Sequence, residues 1–104
     1  MIKAIVFGCM DYRFQKNIQI ILEKYNLSYG DYDLVLIQGG ASNFKQLKEH
    51  LITSKKLHNP LQVILTIHED CGFGSKFTDF NIAIDICKNI LDKNCIINIE
   101  YLHK

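Results

Sequence analysis

Two short segments carry the residue types that do chemistry, Cys9-Met10-Asp11-Tyr12-Arg13 and His68-Glu69-Asp70-Cys71-Gly72. Each is a weak signal alone. A cysteine after an apolar run is commonly a small buried residue, and a lone histidine is commonly a satisfied hydrogen-bonding group. Together they offer two thiols and one imidazole, and Cys9, His68 and Cys71 make a sound zinc set because thiolate is soft and imidazole borderline. Three protein ligands leave a fourth tetrahedral position for water, which distinguishes a catalytic from a structural site. Asp11 and Arg13, spaced i, i+2 in an extended loop, can set a carboxylate over the metal with a guanidinium beside it. A charge-assisted contact of that kind holds the carboxylate ionised and orients it.

These segments help each other only if the elements around them bring them together. Lys3 to Gly8 is an Ile/Val-rich run and reads as a strand buried on both faces. From Phe14 the apolar spacing turns helical, through Ile18, Ile21, Leu22 and Tyr25, and the Ser28-Tyr29-Gly30 turn ends the helix. A second strand, Asp33 to Gln38, runs into Gly39-Gly40-Ala41-Ser42. That stretch is a tight strand-to-helix turn, since it lacks the Lys-Ser/Thr of a P-loop and the third glycine of a dinucleotide fingerprint. Ser42 is the expected N-cap of a second helix that turns Phe44, Leu47 and Leu51 inward, and Asn59-Pro60 stops it. Leu61 to Ile67 is the third strand, followed by a loop from His68 to Ser75.

Phe80, Ala83, Ile84, Cys87, Ile90 and Leu91 mark a third helix, with Ile82 and Ile86 widening its apolar face enough to suggest cover by a second subunit. Cys95 to Leu102 is the last strand. This alternation predicts a three-layer α/β/α fold on a mostly parallel open sheet, with right-handed crossovers and strand order 2-1-3-4. In such sheets ligands sit at the carboxyl ends of the strands, at the switch point between the first and third. The site is therefore expected where the loops starting at Gly8 and at His68 meet.

Composition narrows the classes. With 104 residues, 48% of them hydrophobic and 22% charged, residues 1–104 are expected to form a single globular domain. Twelve Lys plus Arg against eleven Asp plus Glu leave a formal charge of +1, which offers no basic footprint for nucleic acid and no polybasic membrane patch. No apolar run approaches the ~18–20 residues of a membrane span. The N-terminal run is short and is followed at once by Asp11 and Arg13, so it reads as a strand and not a leader. Four cysteines without a signal peptide then point to metal-binding, catalytic or buried thiols in a reducing cytoplasm. Cys87 and Cys95 read as core residues, and His50, His58 and His103 as surface residues.

The two segments resemble those of the β-class carbonic anhydrases. Cys9-Met10-Asp11-Tyr12-Arg13 is similar to that family's Cys-x-Asp-x-Arg, and His68-Glu69-Asp70-Cys71-Gly72 to its His-x-x-Cys-Gly, in the same order and after the same strands. The resemblance implies Zn2+ held by Cys9, His68 and Cys71, and a catalytic dyad of Asp11 and Arg13. It implies a carbonate dehydratase, a lyase that hydrates CO2 reversibly to bicarbonate, assembled as a homodimer or higher homo-oligomer. Zinc lowers the pKa of bound water, and Asp11 is expected to aim the nucleophile by accepting its hydrogen bond. Helix N-termini following Arg13 and Ser75 are expected to favour the thiolates, and Phe73 and Tyr12 to line an apolar pocket. Hydrolysis of carbonyl sulfide or carbon disulfide, non-catalytic zinc binding, and a reversible Cys9–Cys71 disulfide are the alternatives.

Overall fold

The computed structural model describes residues 1–104. The chain runs β1 (Ala4–Cys9), α1 (Gln15–Lys24), β2 (Tyr32–Ile37), α2 (Phe44–Leu57), β3 (Gln62–His68), α3 (Asp79–Ile90) and β4 (Ile96–Leu102), with single 3-10 turns at Tyr12–Phe14 and Gly40–Ser42. The four strands form one sheet in the order β2-β1-β3-β4. Every pairing is parallel, so the expected topology is observed and "mostly parallel" becomes wholly parallel.

Alternation along the strands divides the core in two. Ile5, Phe7, Val63, Leu65 and Ile67 meet Leu47 and Leu51 of α2 and Phe80, Ala83 and Cys87 of α3 on one face. Ala4, Val6 and Ile64 meet Phe14 and Ile18, Ile21 and Leu22 of α1 on the other. Helices thus cover both faces, as a parallel sheet with crossover connections requires. No helix is long and apolar enough to cross a membrane.

Several boundaries differ from the sequence expectation by a residue or more, and two of the differences matter. β1 ends at Cys9 and β3 at His68, so both residues are the last of a strand and not the first of a loop. The cap of α2 is Asn43, whose side chain accepts from the Gln46 N–H, and not Ser42, which is spent in the preceding 3-10 turn. The third helix starts at Asp79, after a loop that continues three residues beyond Ser75.

The sheet opens where it needs to. β1 stays paired with β2 as far as Cys9–Ile37, and β3 with β4 as far as His68–Leu102. Between β1 and β3, however, the register stops at Phe7–Leu65. Beyond that point Thr66 Oγ1 still donates to the Phe7 carbonyl at 2.7 Å. The gap is then filled by the backbone of Gly40. A Cβ there would stand 2.7 Å from the Thr66 carbonyl oxygen and 3.1 Å from the Cys9 nitrogen, and Gly40 has φ +54 besides. Only glycine satisfies both conditions without strain.

Candidate metal centre

Cys9 and His68 enter this gap from opposite faces of the sheet. Cys9 follows Ile5 and Phe7 on the α2/α3 side, and His68 follows Ile64 and Thr66 on the α1 side. Cys71 comes round from the loop after β3. The two sulfurs and a His68 ring nitrogen all lie within 4.8 Å of one another. Zinc bond lengths of ~2.3 Å to sulfur and ~2.0 Å to nitrogen space tetrahedral ligands about 3.5–3.8 Å apart, so side-chain rotation of about an ångström gathers the three atoms on one ion.

His68 is 2% exposed and fully constrained. Its ring stacks on Phe14, with centroids 4.0 Å apart and planes at 22°. Nδ1 donates to the Glu69 carbonyl oxygen at 2.6 Å. That bond selects the tautomer with a lone pair on Nε2, the arrangement usual in metal-bound histidines. Nε2 is buried and has no hydrogen-bond partner in the protein. Leaving such an acceptor unsatisfied costs about 1–3 kcal/mol, and a cation between it and two sulfurs removes that cost.

The sulfurs point the same way. Burial pushes the Cys9 thiol up, hydrogen bonds from the backbone N–H groups of Asp11 and Gly39 draw it back, and repulsion from Cys71 raises it again. A cation reverses that repulsion, and the two N–H groups already favour the thiolate. Buried nitrogen and paired sulfurs fit a divalent metal of borderline softness.

Asp11 stands at the rim of this cluster. Its Oδ1 accepts from the Arg13 N–H at 3.0 Å, capping the 3-10 turn. The Arg13 side chain grips the same carboxylate, Nε to Oδ1 at 3.1 Å and Nη2 to Oδ2 at 2.8 Å. These Arg13 hydrogen bonds hold the Asp11 carboxyl down at about 2, so it is an acceptor throughout the neutral range. Asp11 Oδ2 lies 3.7 Å from His68 Nε2, close beside the cluster but beyond hydrogen-bond reach.

The cluster opens into a cleft of about 740 Å³ lined by Cys9, Met10, Asp11, Tyr12, Arg13, Gln38, Gly39, Cys71, Gly72 and Phe73. Phe73 packs against Gly39, where its ring leaves no room for a Cβ. All five residues singled out in the sequence therefore meet at one site, with Tyr12 and Phe73 at its mouth. α1 follows Arg13 closely, beginning at Gln15 directly after the 3-10 turn Tyr12–Phe14 that contains Arg13, whereas α3 begins only at Asp79, beyond the place expected just after Ser75. The N–H groups that face Cys9 come from the loop backbone of Asp11 and Gly39.

Sequence reasoning missed the Glu69 carbonyl, the Phe14 ring, and Asp70, which also bonds Arg13. Asp70 did leave a signal: aspartate tolerates the left-handed conformation that a turn between two ligands requires, and its φ is +54. Cys87 is buried in the core as expected, and burial pushes its thiol up to about 12. His58 and His103 are exposed but paired, with Asp33 and Glu69.

No protein-family model matches the chain, and no curated protein sequence matches it. Among solved structures its fold is similar to that of a carbonic anhydrase from Glaciozyma antarctica. The TM-score is 0.62 at 16% sequence identity, over 96% of this chain and 75% of that one.

Proposed function

We propose that this protein is a zinc-dependent lyase of the β-carbonic anhydrase type, a carbonate dehydratase that converts CO2 and water reversibly to bicarbonate. The observation that carries this reading is the buried, partnerless Nε2 of His68 within 4.8 Å of two thiols, with an ionised carboxylate fixed beside it. Cys9, His68 and Cys71 hold the metal. When bound, zinc supplies Lewis acidity that makes a water nucleophilic near neutral pH, an effect for which the three-histidine carbonic anhydrases are the standard case.

The chain's own residues do the rest. Asp11, kept ionised by Arg13, accepts a hydrogen bond from the attacking water and so turns a lone pair toward the substrate carbon. It is too weak a base to remove a proton at neutral pH, so its work is orientation. Arg13 keeps a positive charge beside the position where bicarbonate develops its negative one. The N–H groups of Asp11 and Gly39 stabilise the Cys9 thiolate, and the Glu69 carbonyl keeps His68 in the ligating tautomer. Met10, Tyr12 and Phe73 give an apolar approach that suits CO2. This reading places the protein in a reducing cytoplasm, where Cys9 and Cys71 remain thiols, and pairs it with a second copy of itself.

Metal analysis joined to stopped-flow CO2 hydration tests the proposal, with carbonyl sulfide and carbon disulfide run in parallel. One zinc per chain and hydration that rises with pH are expected. Zinc at full stoichiometry without hydration at any pH overturns it in favour of a metal-binding protein, and turnover of the sulfur substrates alone reassigns the substrate.

A further inference from the structure

Arg13 is the chain's only arginine, and its guanidinium is used on both edges. One edge holds Asp11, as described above. On the other side Nη1 donates to Asp70 Oδ2 at 3.1 Å, and Nη2 donates to the Asp70 carbonyl oxygen at 2.9 Å. Asp11 lies on the loop leaving β1, two residues after Cys9. Asp70 lies on the loop leaving β3, between His68 and Cys71. The guanidinium therefore spans the same gap that the three candidate ligands span.

A fork between Arg13 and Asp11 fixes those two side chains to each other. It does not fix the pair to the rest of the site, because the two residues are neighbours on one loop. The Asp70 contacts supply that second tie. They join the pair to the loop that carries His68 and Cys71, and the residue making them sits in a left-handed turn. That loop is itself braced from the segment after β4. Lys104 Nζ lies 2.6 Å from Asp70 Oδ2, and the Glu69 carboxylate accepts from His103 Nδ1 at 2.9 Å and from the Lys104 N–H at 3.1 Å.

We propose that Asp70 is a positioning residue of this site: by taking the far edge of the Arg13 guanidinium, it fixes the orientation in which Arg13 presents Asp11 to the Cys9–His68–Cys71 cluster. What that orientation serves rests on the carbonic anhydrase reading, whereas the orientation itself is measurable without turnover. The Asp70 side chain is largely exposed, at 63%, so one ion pair there is weak. The effect comes from several charges and a backbone carbonyl acting together. Its expected size is roughly three- to fivefold, near the upper end for an exposed but multiply bonded pair.

The test uses Asp70→Asn, which keeps size and left-handed tolerance but removes the charge. Asp70→Gly, which keeps the positive φ and removes the side chain, is the second variant. Hydrogen exchange at Arg13 Nε–H is followed by nitrogen-15 NMR, where a lone arginine needs no assignment, in the protein as purified and again with zinc. Exchange in both variants is expected to rise by roughly three- to fivefold with zinc content unchanged. The kcat for hydration is expected to fall by a similar factor, with a displaced pH profile. Unchanged Arg13 exchange in both variants overturns the proposal. So does faster exchange with wild-type kcat, and so does loss of zinc from both, which makes Asp70 a residue of loop folding alone. An inactive wild-type protein sinks the carbonic anhydrase reading, while the Arg13 measurement still decides whether Asp70 anchors the guanidinium.

Discussion

Cys9, His68 and Cys71 reach one point by different routes, and their substitution should have different consequences. His68 is locked by Phe14 and the Glu69 carbonyl, and Cys9 by its place at the end of β1, but Cys71 depends on a loop. Cys71→Ala should leave the fold intact, because the side chain is not part of either apolar cluster. Zinc affinity should nevertheless fall by more than about a hundredfold, beyond the usual cost of losing a residue that merely supports a ligand. Competition with a chromogenic chelator checks this. Asp11→Asn should do the reverse. Zinc should stay at wild-type stoichiometry while kcat drops about 10²-fold, since the amide keeps the shape but can present an N–H where an acceptor is needed. Unchanged kcat in the stopped-flow assay removes Asp11 from the mechanism. The residue types at these positions were legible in the sequence because donor chemistry is a property of the side chain. The Glu69 carbonyl and the bridging by Asp70 were not, because they depend on backbone direction.

Among the elements, the turn between β2 and α2 matters beyond its length. Its glycines read as a tight connection, and the gap that Gly40 fills exists only once β1 and β3 part after Phe7–Leu65. Gly40→Ala adds a methyl group against two strands at a positive φ. It should cost about 2 kcal/mol or more in urea denaturation, and weaken zinc binding by displacing Cys9. A second device ties α1 to β4. Tyr25 donates to Glu100 Oε2 at 2.6 Å, and Lys24 Nζ reaches the same oxygen at 2.8 Å. Burial, reinforced by the bond to the Glu100 carboxylate, pushes the Tyr25 hydroxyl up to about 12. The unfolded chain ionises this group near ~10, so the unfolded state loses its proton first as pH rises. The associated stability is complete below that value and fades as pH climbs toward 12. Tyr25→Phe should cost about 1 kcal/mol at neutral pH and flatten that alkaline decline in thermal melts. The periodicity of α1 and the β4 pattern were both readable in the sequence. The bond between them was not, because Tyr25 and Glu100 lie 75 residues apart.

For the whole molecule, the exposed apolar surface bears on the expected second copy. Ile86 is partly buried against the core, but Ile82 on α3 and Phe77 just before it are each more than half exposed, as are Met10 and Tyr12 at the cleft. If a second chain covers this surface, as the proposed pairing holds, sedimentation at micromolar concentration should show a dimer, with Ile82→Glu and Phe77→Glu shifting it toward monomer. A monomer throughout that range removes the second copy. Hydrophobic period, turn residues and donor types are local properties, and from them the sequence alone determined the α/β class, the strand order, and the pairing of a Cys-x-Asp-x-Arg segment with a His-x-x-Cys segment. Tertiary structure alone decided how the donors meet. Where β1 and β3 separate, how Phe14 stacks on the His68 ring and how Arg13 reaches Asp70 all depend on groups that are distant in sequence and close only after the sheet has formed.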